Sequence, residues 1–142
     1  MPHRRTIACA TATALLASLL FAGAATAGTV KMVKDVSGSG SPRQMTAYGG
    51  KLFYVATTPS KGAELWKSDG TTKGTKIVKD IWPGANSSKP SELMVMGGIL
   101  YFVASDPGGG RELWRSDGTR KGTWRVKDII PGAADSSPYG LT

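Results

Sequence analysis

The chain has 142 residues, of which 18 are basic and 10 acidic, so its formal net charge is +8. It holds one cysteine and one histidine, Cys9 and His3, both near its start. Without a second cysteine the chain has no internal disulfide, and a zinc site built on several histidines or cysteines is excluded.

The segment 1–27 has the layout of a secretory signal peptide. His3, Arg4 and Arg5 precede an apolar run over residues 7–21, and small residues follow up to Ala27. This order of segments is typical of a cleaved signal. The apolar run of about 15 residues is also shorter than the roughly 20 that a membrane-spanning helix needs. We therefore expect cleavage after Ala27, no transmembrane span afterwards, and a protein in the periplasm, at the cell surface or in the medium; a retained anchor is the alternative.

Cleavage would leave residues 28–142, which contain neither histidine nor cysteine. Two of the 18 basic residues are lost with the signal, so 16 basic and 10 acidic residues remain, a net charge of +6. These charges are scattered along the chain, which is typical of a solvated surface. Export argues against a nucleic-acid partner, and an acidic polysaccharide or an anionic cell surface is the expected partner of any basic face.

The exported part contains one long block written twice. Residues 42–89 and 90–137 align without a gap, and 26 of the 48 positions are identical. Residues 28–41 match the end of a repeat, and residues 138–142 match the start of a further one. A fixed period of this length indicates a repeated supersecondary unit. Because two such units leave sheet edges and apolar faces uncovered, we expect either a truncated product or several copies that assemble into a ring.

Each repeat is predicted to contain four short antiparallel strands. The first strand ends at a Gly-Gly hairpin signal, and an apolar, aromatic second strand follows. A third strand leads through an Asp-Gly turn to the fourth. No helical periodicity is present. The predicted strands are Gln44–Tyr48, Lys51–Ala56, Glu64–Ser68, Thr75–Ile81, Glu92–Met96, Ile99–Ala104, Glu112–Ser116 and Thr123–Ile129.

Four strands in about 45 residues match the size of a β-propeller blade. The predicted fold is therefore all-β, with two four-stranded antiparallel blades, partial strands on both sides and an incomplete ring. A sandwich made of two such sheets is the structural alternative.

The string Glu-Leu-Trp-x-x-Asp-Gly-Thr occurs once in each repeat. On these residues the chain resembles the ELWxxDGT-repeat family of exported bacterial proteins, sometimes called hyalin-like. The likeness continues downstream through Gly-Thr, Val-Lys-Asp-Ile and Pro-Gly. It implies a propeller-type repeat protein with no agreed activity, although this chain has few repeats for that family. The motif residues are Glu64, Leu65, Trp66, Asp69, Gly70, Thr71, Glu112, Leu113, Trp114, Asp117, Gly118 and Thr119.

These recurring residues are predicted to be structural. One tryptophan per repeat, Trp66 or Trp114, fits a wedge packed between neighbouring sheets. The Asp-Gly pairs fit tight turns, in which the aspartate accepts backbone N–H bonds and the glycine takes a positive φ. The loop also resembles the Asp-box hairpin of sialidase-like propellers, where it is a fold device.

Three aspartates, Asp35, Asp80 and Asp128, share a Val-Lys-Asp context. Each is expected to accept hydrogen bonds from the backbone or from threonine, because an unpaired buried charge is costly. The alternative is a set of calcium ligands, since carboxylates suit that ion, but the dense Asp-x-Asp-x-Asp spacing of known calcium loops is lacking. No other cofactor is predicted.

Differences between the repeats suggest where a ligand could bind. Trp82 stands where the second repeat has Ile130, and Trp124 stands where the first has Lys76. A tryptophan that packing does not require twice is able to stack on a sugar ring, and a neighbouring arginine is able to hold an anionic group. The candidate ligand-binding residues are Trp82, Trp124, Arg111 and Arg125, with ordinary surface packing as the alternative.

Without histidine or cysteine, the exported chain has no Ser-His-Asp or Cys-His arrangement. Most of its acids are repeat equivalents, which marks them as fold residues. We therefore predict a non-catalytic secreted or cell-surface module that binds carbohydrate or another envelope component. The alternative is a fragment of a glycan-acting propeller, glycosidase or lyase-like, whose catalytic residues lie outside this chain.

Overall fold

The structure, a computed structural model, describes residues 32–35 and 42–142. These residues form eight β-strands and no helix. The strands make two antiparallel sheets, sheet 1 with the order β1-β2-β3-β4 and sheet 2 with the order β5-β6-β7-β8. Their bounds are β1 Arg43–Tyr48, β2 Lys51–Thr58, β3 Gly62–Ser68, β4 Lys76–Lys79, β5 Ser91–Met96, β6 Ile99–Asp106, β7 Gly110–Ser116 and β8 Thr123–Arg125. The predicted all-β fold with two four-stranded antiparallel units is confirmed.

The predicted signal peptide, residues 1–27, and most of the partial repeat at 28–41 lie outside the described residues. All described residues belong to one compact unit, Lys31–Thr142. Within them, no helix is long and apolar enough to cross a membrane.

The first hairpin of each sheet turns at the Gly-Gly pair that the sequence indicated. Gly49 and Gly50 have φ values of 54° and 68°, and Gly97 and Gly98 have 56° and 72°. Two consecutive positive φ values match the twist of an antiparallel hairpin, and glycine adopts them without steric cost. This local chemistry fixes the β1–β2 and β5–β6 pairings.

The fourth strands are shorter than predicted, since β4 ends at Lys79 and β8 ends at Arg125. The cause in sheet 1 is the carboxylate of Glu64, which accepts hydrogen bonds from the backbone N–H groups of Ile81 and Trp82, each at 3.2 Å. Backbone donors that bind a side chain have no part in a strand ladder. The chain therefore leaves sheet 1 after Lys79, in the middle of the Val-Lys-Asp-Ile segment.

The two sheets pack face to face around one apolar core. We call the side of sheet 1 that faces sheet 2 the trailing face of sheet 1. The trailing face of sheet 2 is the side that carries the equivalent positions of the second repeat. The opposite side of each sheet is its leading face. The trailing face of sheet 1 supplies Phe53, Leu65, Val78 and Ile81, and the leading face of sheet 2 supplies Leu100, Phe102, Ala104 and Trp114.

Polar contacts also join the sheets. The hydroxyl of Tyr48 donates to the carbonyl of Gly98 at 2.8 Å, which links the first hairpins of both sheets. The ammonium of Lys79 donates to the carbonyl of Thr123 at 2.7 Å and lies 5.7 Å from the Trp114 ring centroid. Sheet 1 thus contacts sheet 2 through both apolar and hydrogen-bonded groups.

Residues 32–35 lie on the leading face of sheet 1. The ammonium of Lys34 donates to the carbonyl of Thr75 at 2.9 Å, and the hydroxyl of Thr72 donates to the carbonyl of Val33 at 2.7 Å. Lys34 and Lys79 share the Val-Lys-Asp context, and Thr75 and Thr123 are repeat equivalents. The short segment therefore contacts sheet 1 as Lys79 contacts sheet 2.

Two equivalent glycines provide a direct test of the packing between the sheets. Gly70 and Gly118 both have φ of +85°, but a Cβ at Gly118 would lie 2.9 Å from Phe53 Cζ, whereas nothing lies within 4 Å at Gly70. We expect Gly70→Ala to cost about 1 kcal/mol of strain. Gly118→Ala should cost roughly 1–3 kcal/mol more, because overpacking displaces Phe53. Urea unfolding of both variants measures this difference. An equal loss of unfolding free energy in both would mean that Phe53 moves aside without cost.

Candidate functional site

The glutamate of the first motif is fully buried and bound by the protein itself. Glu64 has no solvent exposure. Its carboxylate accepts the backbone N–H groups of Ile81, Trp82 and Ser88, and the Ser88 hydroxyl at 2.6 Å. Burial raises the pKa of Glu64, and the hydrogen bonds from Ser88, Trp82 and Ile81 oppose that rise. No ion pair to Glu64 occurs in the part of the chain that the structure covers.

The second motif repeats this arrangement. The Glu112 carboxylate, also without solvent exposure, accepts the backbone N–H groups of Ile129 and Ser136 and the Ser136 hydroxyl. Ser136 is the repeat equivalent of Ser88, as Glu112 is of Glu64. Both carboxylates therefore hold the segment that follows the fourth strand, and neither is directed at solvent.

The Asp-Gly turns are also internally bonded. The Asp69 carboxylate accepts the backbone N–H of Thr71 at 2.9 Å and its hydroxyl at 2.7 Å, and these bonds, the hydroxyl first, lower the pKa of Asp69. Hydrogen bonds from Thr119 likewise lower the pKa of Asp117. Each threonine then accepts the backbone N–H of a glycine, Gly74 or Gly122, at 2.9 Å. These acids stabilise loops that join the third and fourth strands.

Two of the three Val-Lys-Asp aspartates pair with basic side chains. Asp80 lies 2.7 Å from the Lys61 ammonium, and Asp128 lies 3.6 Å from the Arg125 guanidinium, whereas Asp35 is solvent-exposed. Over residues 32–35 and 42–142, no three or more histidine, cysteine, aspartate or glutamate residues come together as a metal site would require. The calcium hypothesis therefore has no ligand cluster to start from within these ranges.

The four residues predicted to bind a ligand lie in different environments. Arg111 donates to the carbonyl of Lys89 at 3.1 Å and to the Ser91 hydroxyl. Arg125 pairs with Asp106 and Asp128, at 3.3 Å and 3.6 Å. Trp82 is half-buried, and Trp124 is 43% exposed on the trailing face of sheet 2, where the Arg115 guanidinium lies 4.7 Å from its ring centroid. Both arginines thus have partners in the protein, and a binding role for the four remains a hypothesis.

A basic cleft lies where β3 and β4 of sheet 1 meet the Asp-Gly turn of the second repeat. Its volume is about 620 Å³. Five basic side chains and one acidic side chain line it, and none of the four predicted residues does. The lining side chains that carry charge are Lys61, Lys67, Lys76, Lys79, Arg120 and Asp80.

The lysines of this cleft keep donors available for a ligand. Lys67 donates to the carbonyl of Gly118 at 2.6 Å, and Lys79 donates to that of Thr123. An ammonium has three N–H donors, so each lysine retains two. Among the described residues, Lys61 is the cleft lysine that forms an ion pair, with Asp80. The cleft therefore carries positive charge that its own side chains do not neutralise.

The charge around Lys67 is unfavourable in the absence of an anion. Burial lowers the pKa of Lys67, and the positive charges of Lys76 and Lys51 lower it further, while Asp117 acts in the opposite direction. A bound carboxylate or sulfate would counter this repulsion, because an opposite charge within a few ångströms favours the protonated amine. The cleft is thus suited electrostatically to an anionic group.

The sequence contained one signal for this site. Position 76 differs between the repeats, with lysine in the first where the second has Trp124. That difference suggested the tryptophan as the binding residue, but Lys76 is the residue that lines the cleft. The sequence does not show which residues of the two repeats lie together, and the cleft combines lysines of the first repeat with Arg120 of the second.

Comparisons with known proteins do not add to this geometry. No family model matches the chain, and neither the curated proteins nor the solved structures gave a match.

Proposed function

We propose that the chain is an exported, non-catalytic repeat module of the ELWxxDGT kind that binds an anionic polysaccharide of the cell envelope in its basic cleft. The observation that carries this proposal is the cleft itself, which has five basic side chains and one acidic side chain. A cleft lined by one sign of charge concentrates ligands of the opposite sign. A polysaccharide with carboxylate or sulfate groups matches both the charge and the predicted extracellular location.

The hydrogen-bonding groups of the cleft favour an extended polar ligand. Alongside the ammonium groups, Thr119 lines the cleft, and Gly118 contributes backbone at the turn. Sugar hydroxyls are both donors and acceptors, so they are able to bind such groups while an acidic substituent meets the lysines. Tyr48, Lys51 and Asp117 line a smaller adjoining depression that also contains Lys67. A chain of several sugar units would reach from one depression to the other.

The non-catalytic part of the proposal depends on how the acids are used. Glu64 and Glu112 bind backbone N–H groups, and Asp69 and Asp117 hold turns. Asp80, the one acid that lines the cleft, pairs with Lys61 at 2.7 Å. Glycoside hydrolysis by two carboxylates requires an acid and a second carboxylate that face the same bond. The cleft supplies one carboxylate, Asp80, which is already paired, and the adjoining depression supplies Asp117, which holds its turn.

The propeller part of the proposal is supported by contacts that recur along the chain. Lys34 meets the carbonyl of Thr75 as Lys79 meets that of Thr123, at 2.9 Å and 2.7 Å. A constant relation between one unit and the next is what a ring of blades requires. We infer blade-like stacking of the two sheets on this basis.

Binding to a defined polyanion tests the proposed function. We expect the protein to bind polygalacturonate and not dextran, with an affinity that falls as salt screens the lysines. The double variant Lys67→Gln with Lys76→Gln should bind about tenfold more weakly, since each exposed charge pair contributes roughly 0.2–1 kcal/mol. Isothermal titration calorimetry measures both effects.

The matched control is the double variant Lys73→Gln with Lys121→Gln. Both lysines are exposed in the equivalent turns and neither lines the cleft. Equal weakening by the control, or equal binding of dextran, would defeat the cleft as the site. The same binding assay on Trp82→Ala and Trp124→Ala tests the stacking hypothesis. A separate assay of the polysaccharide for new unsaturated or reducing ends tests the enzymatic alternative.

A further inference from the structure

The trailing face of sheet 2 carries the apolar residues of a buried interface, and several of them are exposed to solvent. Val78 and Ile81 on the trailing face of sheet 1 are 4% and 5% exposed because they pack on sheet 2. Their equivalents in the segment that follows β8, Val126 and Ile129, are 45% and 53% exposed. The residue types are identical at both positions. The second sheet therefore presents apolar groups that the first sheet uses for packing.

The polar groups of this face also lack their expected acceptors. Lys67 and Lys79 of sheet 1 donate to the carbonyls of Gly118 and Thr123 across the core. The equivalent of Lys67 is Arg115, whose buried Nε has no hydrogen-bond partner among the described residues. A buried donor without an acceptor costs free energy. A partner that supplies backbone carbonyls at this face would give the Arg115 guanidinium the kind of acceptor that Lys67 has in Gly118.

We propose that the trailing face of sheet 2 binds the leading face of sheet 1 of a second copy of this chain, head to tail. The leading face of sheet 1 carries Tyr54 and Trp66, the equivalents of Phe102 and Trp114, which receive sheet 1 within the chain. On that face Leu52 is 40% exposed, whereas its equivalent Leu100 is fully buried. The intramolecular contact between the sheets thus provides the template for the contact between copies.

A symmetric contact between two trailing faces is disfavoured by charge. That arrangement would bring Arg115 and Lys127 of both copies together, and like charges repel at an interface. The head-to-tail arrangement instead directs these groups at the turn and carbonyl groups of the partner's leading face. Head-to-tail contacts build closed rings or open chains, according to the rotation between copies.

The segment of residues 32–35 competes with this contact. Lys34 already donates to the carbonyl of Thr75, the acceptor that Lys127 of the second copy would use by equivalence with Lys79. A second copy must therefore displace the segment. We expect Lys34→Ala to strengthen association by about two- to tenfold, the value of one hydrogen bond. If this variant associates as strongly as the wild type or more weakly, residues 32–35 do not compete with the second copy.

Sedimentation velocity on the full chain over a range of concentrations tests the interface. We expect the wild-type mass to rise with concentration and Ile129→Lys to weaken association by at least about tenfold, because one buried isoleucine is lost. The matched control is Ile130→Lys, which adds the same charge at an adjacent residue that is 44% exposed. A wild-type chain that stays monomeric throughout, or a control that weakens equally, would overturn the proposal.

Mixing two blocked variants tests the head-to-tail arrangement. Ile129→Lys blocks the trailing face, and Leu52→Lys blocks the leading face. Each alone should be monomeric, whereas an equimolar mixture should form a one-to-one dimer, because each copy supplies the face that the other lacks. A mixture that remains monomeric would overturn the head-to-tail contact. The basic cleft lies within one chain, so polyanion binding and association are separable results.

Discussion

Replacing Glu64 by alanine should destabilise the protein by about 3–5 kcal/mol, because it leaves several buried hydrogen-bond donors unsatisfied. The carboxylate binds the backbone N–H groups of Ile81, Trp82 and Ser88 and the Ser88 hydroxyl. Without it, Ile81 and Trp82 lose their hydrogen bonds to sheet 1, so Ile81 is held less firmly in the core. The hydrogen bonds of Ser87 and Lys89 with Ala63 still connect the segment to β3. Urea unfolding followed by far-ultraviolet circular dichroism measures the loss.

The matched control is Glu112→Ala. Glu112 makes the equivalent contacts, but Ile129, which it holds, is 53% exposed where Ile81 is 5% exposed. Water is able to satisfy the freed donors there, so the loss should be smaller than for Glu64→Ala. Equal losses would show that the carboxylates act only within their own sheets and not through the shared core.

The same residue gives wild-type stability a definite pH dependence. Burial raises the pKa of Glu64 above its ordinary 4.5, so the folded state binds this proton more tightly than the unfolded chain. The contribution of Glu64 to stability therefore falls as pH rises from 4.5 through the raised pKa. Asp69 and Asp117, whose pKa values are lowered, act at lower pH and in the opposite direction. Glu64→Gln should remove this decline, and an unchanged pH profile would contradict the role of burial.

Local turn chemistry made much of the fold predictable from the sequence. The Gly-Gly and Asp-Gly pairs define hairpins by the φ values that glycine alone adopts easily. The order of strands within each sheet therefore follows from interactions between residues close together in the sequence. The ends of the fourth strands were not predictable in the same way. The end of β4 depends on Glu64, which accepts hydrogen bonds from backbone donors 17 and 18 residues along the chain. Propensity favours a strand through Ile81, and the buried carboxylate ends β4 at Lys79.

The candidate site was less accessible to sequence reasoning because it forms between repeats. Lys67 and Lys76 pair across neighbouring strands of sheet 1, and Arg120 reaches them from the turn of sheet 2. The spacing of these residues along the chain does not indicate that sheet 2 packs against the trailing face of sheet 1. Scattered charge in the sequence therefore became a concentrated basic cleft only through the packing of one sheet on the next.

Replacing Trp114 by alanine should cost about 3–5 kcal/mol, the usual range for a buried aromatic residue. Trp114 is 5% exposed and fills the core between the sheets. Its ring is stacked on Phe102 with centroids 6.4 Å apart, and its indole N–H donates to the carbonyl of Ala104 at 3.1 Å. The Lys79 ammonium also lies 5.7 Å from the ring centroid. Removing the side chain therefore opens a cavity at the contact between sheets and deprives Lys79 of a cation–π partner.

Trp66→Ala separates the contribution of the contact between sheets from that of tryptophan burial alone. Trp66 holds the same place in its motif and is 8% exposed, but it packs in a smaller cluster with Tyr54 and Ala56, and its indole N–H has no acceptor among the described residues. We expect a smaller loss than for Trp114→Ala, and Trp114→Phe should recover about half of the larger loss through apolar burial. Thermal and urea unfolding of the three variants give the comparison. If Trp66→Ala proves as costly as Trp114→Ala, the stability of the protein resides within each sheet, and the stacking of one repeat on the next contributes little.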